Sequence, residues 1–175
     1  MQPDIAAPAA GDLARAALRH LVATLAYRAA KVLRDAPTAF QATSLGPATR
    51  SPVQIVAHMA DLVAWAIRFL AGTQVWKAEG SDDWNREVRR FFHGLAELDR
   101  QLATGPLPAG ALEKLIQGPL TDALTHVGQV ALLRGIAGAA VRPEVYPRAE
   151  IVVGRVGLDQ APPGREFDGD ASALM

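Results

Sequence analysis

The chain has 175 residues, half of them hydrophobic and 21% charged, with 18 basic against 18 acidic side chains and no cysteine. That length and balance fit one soluble globular domain with a substantial core, and a net charge of zero argues against nucleic acid as a partner. Without cysteine there is no disulfide, no Cys-ligated zinc, no iron–sulfur cluster and no cysteine nucleophile, so any reacting thiol must arrive on a ligand.

The periodicity predicts four long helices followed by an irregular tail. The first covers about residues 12–35, with Asp12 as its cap and Leu18, Leu21, Leu25, Ala29 and Val32 at helical spacing. Pro37 ends it, and residues 38–50 are expected to form a loop. Ser51-Pro52 opens the second helix as N-cap and first-turn proline, and Gln54 completes a capping-box pattern. This helix runs to about residue 71, where Gly72 stops it, and residues 73–82 are a polar linker.

The third helix covers about residues 83–103 behind an Asp82 or Asp83 cap. Trp84, Val88, Phe91, Leu95, Leu98 and Leu102 form its apolar face; Arg86, Arg89, Arg90, His93, Glu97 and Arg100 are assigned to the solvated one. The fourth spans about residues 111–137 with a kink at Gly118-Pro119. Beyond Gly138 the prolines and glycines exclude a fifth long helix, and residues 151–156 suit a short extended segment. The expectation is an all-α, antiparallel four-helix bundle over residues 1–138, with an irregular tail, 139–175, packed on it.

Residues 1–12 lack the basic and apolar regions of a secretory signal. No stretch of 18 or more residues is both uncharged and apolar enough to span a bilayer, and residues 115–133 are taken as the longest apolar candidate. The expected location is the cytoplasm, without a membrane partner.

In a bundle, sites are built from polar residues that interrupt an apolar stripe. On the second helix, His58 interrupts the seam of Ile55, Leu62, Trp65 and Phe69. A core histidine satisfied by a neighbour is the plain alternative there. Asp61, close by on the same helix, could orient His58 or face solvent beside Arg68. On the fourth helix, Asp122 is the one charged residue between Lys114 and Arg134, which suggests burial on nearly all sides. Asp122 and His126 stand at i, i+4 and share a sector with Thr125 and Gln129. A buried carboxylate needs a partner. A metal held by His58, Asp122 and His126 would supply one, and so, in part, would an Asp122–His126 hydrogen bond; spacing does not separate the two. His93 is expected in solvent and His20 at a boundary. No P-loop, dinucleotide fingerprint, GxSxG elbow or HExxH is present.

The phrases PVQIVAHMADLVAW and DALTHVGQVALLRGIAG resemble the DinB-like superfamily of four-helix metalloenzymes over about residues 12–138. The family's metal set is three histidines, one on the second helix and two at i, i+4 on the fourth. His58 and His126 match two of these positions, and Asp122 stands at the third. The resemblance implies a divalent transition metal (zinc, nickel, manganese or iron) on two imidazoles and a carboxylate. It also implies a thiol-dependent transferase or isomerase in which the metal activates a low-molecular-weight thiol toward a small-molecule substrate, and a homodimer. Gln129 is expected to hold a water or the substrate, and Trp65 to wall the pocket or belong to the core. The rival reading is a non-catalytic binding module with a vestigial metal site. A two-His-one-carboxylate iron oxygenase ranks third, since that chemistry is expected on a β-barrel.

Overall fold

The computed structural model describes residues 10–167, so residues 1–9 of the predicted bundle and 168–175 of the predicted tail lie outside the described residues. The helices are α1 (Ala10–Leu33), α2 (Thr38–Gln41), α3 (Pro52–Leu70), α4 (Trp84–Thr104), α5 (Ala111–Leu115) and α6 (Thr121–Ile136). A π-helical turn, Ile116–Leu120, joins α5 to α6. The chain is all-α: among the described residues there is no strand, only an isolated bridge between Glu144 and Glu166.

Local chemistry explains the helix ends. Ser51 is extended, its side chain accepts from the Gln54 amide, and Gln54 Oε1 accepts from Ser51 N at 3.0 Å, so the capping box forms as the spacing predicts. Asp83 caps α4 by accepting from Arg86 N at 3.0 Å. Asp12 is not the cap of α1, because Ala10 and Gly11 before it are already helical. The predicted kink falls at Gly118, whose backbone (φ −105°, ψ −108°) leaves helical geometry just before Pro119. Thr121 Oγ1 donates to the Ile116 carbonyl at 2.6 Å, a second bond on an oxygen that also accepts from Thr121 N across the π-turn.

α3 packs on α4 and α6, and α1 packs on the same two helices, so the four long helical segments close a ring around one core. Leu18, Leu25, Met59, Phe91, Leu95, Leu98, Leu102, Leu115 and Leu120 are fully buried. α3 and α4 approach closely where Gly94 meets Val63; a Cβ on Gly94 would stand 2.9 Å from Val63 Cγ1.

Three expectations need correction. Residues 38–50 are not wholly a loop: α2 lies there and drives Phe40 into the core, edge-on to Trp84 at 6.0 Å. The most apolar long stretch is α3, not residues 115–133. It is long and apolar enough to cross a membrane by length and composition, yet 67% of its apolar window is buried inside the bundle. Residues 151–156 form no strand, because Gly154 at φ +90° turns the backbone there.

The tail is tied to α1 by a polar clasp. Glu144, with no exposed side-chain surface, accepts from Tyr27 Oη at 2.6 Å, Lys31 Nζ at 2.8 Å and Gly164 N at 3.3 Å. Burial works against the Lys31 ammonium, but hydrogen bonds to Glu144 and Glu166 outweigh it and hold its pKa above the ordinary value. Arg134 closes the other end of the same region. Its guanidinium donates to the carbonyls of Val32, Arg34 and Ala139, tying the end of α1 to the segment after α6 where Asp35 turns left-handed at φ 52°.

Candidate metal centre

The ring of helices sets α3 against α6 and brings His58, Asp122 and His126 together. One ligand atom from each lies within 4.8 Å of the others, and the group could hold a metal ion. His58 Nε2 is 3.6 Å from Asp122 Oδ2, and His126 Nε2 is 3.4 Å from Asp122 Oδ1. The two imidazoles meet edge to face, with centroids 4.9 Å apart. Donor atoms about 2.0–2.2 Å from one tetrahedral ion stand about 3.3–3.6 Å apart. The two carboxylate-to-imidazole spacings are near that value but run to different oxygens of Asp122, Oδ2 toward His58 and Oδ1 toward His126, and two imidazoles with a carboxylate suit zinc, nickel, manganese or iron.

The state of His126 follows from Gln129. His126 Nδ1 lies 2.6 Å from Gln129 Oε1, an acceptor, so Nδ1 carries the proton and donates it. In the neutral ring Nε2 is then a bare lone pair, turned toward a carboxylate oxygen at 3.4 Å. Two acceptors at that distance repel unless a cation or a proton lies between them. A neutral Asp122–His126 hydrogen bond lacks a donor in this tautomer, so the contact calls either for a cation between the two groups or for a second proton on the ring. Gln129 is thereby the group that orients His126, where the sequence suggested a hold on water or substrate.

His58 is held in the ligating form. Burial pushes its pKa below the ordinary value, Arg50 and His126 push it further down, and Asp122 works in the opposite direction. Trp76, from the linker, covers one side of the ring at a centroid distance of 5.6 Å.

Other predicted neighbours are placed differently. Asp61 makes no hydrogen bond to His58; it accepts from Arg90 Nη1 at 2.6 Å and from Glu79 N at 3.2 Å. Arg90, assigned to the solvated face, instead pairs with the buried Glu87 on its own helix and reaches across to Asp61 and the Ala57 carbonyl of α3. Trp65 stacks on Phe69 at 5.5 Å and lines a separate cleft with Lys114 and Gln117. His93 is exposed, as expected, and His20 is exposed where a boundary position was expected. Asp122 is not a buried carboxylate, since 46% of its side chain is exposed. α6 also has an open face at Thr125, Gly128, Gln129, Leu132 and Ile136, so an uncharged helix here is not one buried on all sides.

Two residues near the site escaped the sequence reading. Trp76 is an isolated aromatic in a polar linker, and Arg50 is a cation placed just before the Ser51 cap. Both patterns were visible, but only the folded linker and loop bring them to His58.

Comparison of the chain with protein-family models, with curated proteins and with solved structures finds no match in any of the three. The chemistry assigned to the site therefore rests on its geometry and on the motif resemblance.

Proposed function

We propose that the chain is a DinB-like metalloprotein in which His58, Asp122 and His126 hold one divalent transition metal, and that it acts as a thiol-dependent transferase or isomerase. The observation that carries this reading is the convergence of His58, Asp122 and His126, one ligand atom of each within 4.8 Å of the others, with His126 Nδ1 turned to Gln129 Oε1 and Nε2 facing a carboxylate oxygen. A cation between those atoms removes the repulsion and uses both lone pairs. When bound, such a metal supplies Lewis acidity that lowers the pKa of a thiol in its open coordination positions.

The residues divide the remaining work. His58 stays neutral through its burial and its neighbours, so its lone pair is available at neutral pH. Gln129 fixes the His126 tautomer and ring orientation, as a partner behind a metal-bound imidazole does. Trp76 screens His58 from water on one side. The partly exposed Asp122 leaves the group accessible to a ligand. No cysteine in the chain competes for the metal or for the electrophile.

The test is turnover of an aryl halide electrophile by zinc-, nickel- or manganese-loaded protein with a panel of low-molecular-weight thiols. Thiol-dependent turnover that is lost in His58→Ala and Asp122→Ala supports the reading. Loading without any thiol-dependent turnover would assign the chain to the non-catalytic binding modules instead.

A further inference from the structure

Beside His126 lies a cavity of about 380 Å³, near the lower end of the ~300–1,000 Å³ of small-molecule sites. Leu45, Ala48, Ile55, Leu132 and Leu133 supply its apolar lining. Two of these large side chains are unusually open, Leu132 at 65% and Leu45 at 48% exposure, so apolar surface is left in water where a ligand would cover it.

Arg50 is the one arginine or lysine in that lining, and no carboxylate lines it. The guanidinium of Arg50 makes no hydrogen bond or ion pair among the described residues, whereas Arg19, Arg90, Arg100 and Arg134 are each bound. Arg50 also lines the neighbouring cavity of about 330 Å³ that contains His58. An unpartnered planar fork thus lines both the cavity beside His126 and the one that contains His58. A carboxylate matches that fork in shape and charge.

We propose that this cavity binds a small amphiphilic carboxylate, its carboxylate on Arg50 and its hydrocarbon part along Leu45, Ile55, Leu132 and Leu133. As an assignment of substrate class this rests on the metal-site reading above; as a binding site it stands on the cavity and Arg50.

The probe is octanoate, titrated calorimetrically into the full chain, metal-free and zinc-loaded, beside octanol and octyl phosphate. The expected result is one equivalent of octanoate, bound at least about tenfold more tightly than octanol, with octyl phosphate no better than octanoate. Arg50→Gln removes the preference for octanoate over octanol, Arg50→Lys keeps part of it, and Arg89→Gln, a change at an exposed arginine outside the lining, leaves it intact. Leu132→Asp weakens all three ligands. Equal binding of octanol and octanoate, wild-type octanoate binding by Arg50→Gln, or no binding by the wild-type chain would overturn the proposal; a clear preference for octyl phosphate would replace it with a phosphate site. Zinc titration of the same samples keeps the two readings apart. Octanoate held through Arg50 without zinc binding supports the cavity and defeats the metal site, and zinc binding without octanoate does the reverse.

Discussion

His126 and Gln129 share one turn of α6, with Nδ1 of the imidazole 2.6 Å from Oε1 of the amide, and this contact decides which nitrogen is free. Removing it frees the ring to turn and to change tautomer. Gln129→Leu is expected to weaken zinc binding by about 10- to 100-fold. The side chain is exposed, so the melting temperature should move little. Competition against a zinc-chelating dye measures the change, and unaltered affinity would show that Gln129 does not set the ring.

Asp61 and Arg90 form a structural pair between α3 and α4, with Asp61 almost wholly buried. Asp61→Ala removes one of the two carboxylates on Arg90, which keeps Glu87 and the Ala57 carbonyl, and should cost about 2 kcal/mol in denaturant unfolding. Zinc affinity of the folded variant should remain at the wild-type level. A variant that keeps its stability but loses the metal would return Asp61 to the role of orienting His58.

The pH response follows from His58. Its folded pKa lies below the ordinary 6.5, through burial first and then Arg50 and His126, against the pull of Asp122. The unfolded chain takes up this proton at the higher pH. The contribution of His58 to the stability of the metal-free protein is therefore complete above about pH 6.5 and is lost as pH falls through the folded value. Arg50→Gln should move the His58 titration upward, followed by the ring proton resonance in NMR. A downward shift or none would contradict this.

Glu144 anchors the tail to Tyr27 and Lys31 from a position without exposed surface. Glu144→Ala leaves the Lys31 ammonium with Glu166 alone and should lower stability by about 3 kcal/mol, a fall of about 6–12 °C in melting temperature. Limited proteolysis should then cut between residues 139 and 167 before it cuts the bundle. Simultaneous cleavage of both would mean that the clasp is not what holds the tail.

What the sequence made legible was local or periodic. The Ser51 capping box, the Asp83 cap and the Gly118-Pro119 kink depend on neighbours within a few residues, and each forms where the spacing places it. His58, Asp122 and His126 could be singled out because each interrupts an apolar or uncharged pattern at helical spacing. The contacts of Asp61, Arg90, Trp76 and Arg50 were not legible. Asp61–Arg90 depends on how α3 and α4 are rotated against each other, which the close approach at Gly94 and Val63 sets. Trp76 and Arg50 sit on a linker and a loop whose paths follow from tertiary packing, with Gly80 pressed so close to Ala57 that a Cβ would lie 2.8 Å from its side chain.

The central claim is that His58, Asp122 and His126 hold a metal together. It is tested most directly by metal analysis of the chain purified without a histidine tag, beside His58→Ala and Asp122→Ala. The expected result is about one equivalent of a transition metal in the wild-type protein and loss of it in each variant. A wild-type protein that is metal-free and takes up no added zinc, nickel or manganese, or variants that keep the metal, would contradict it.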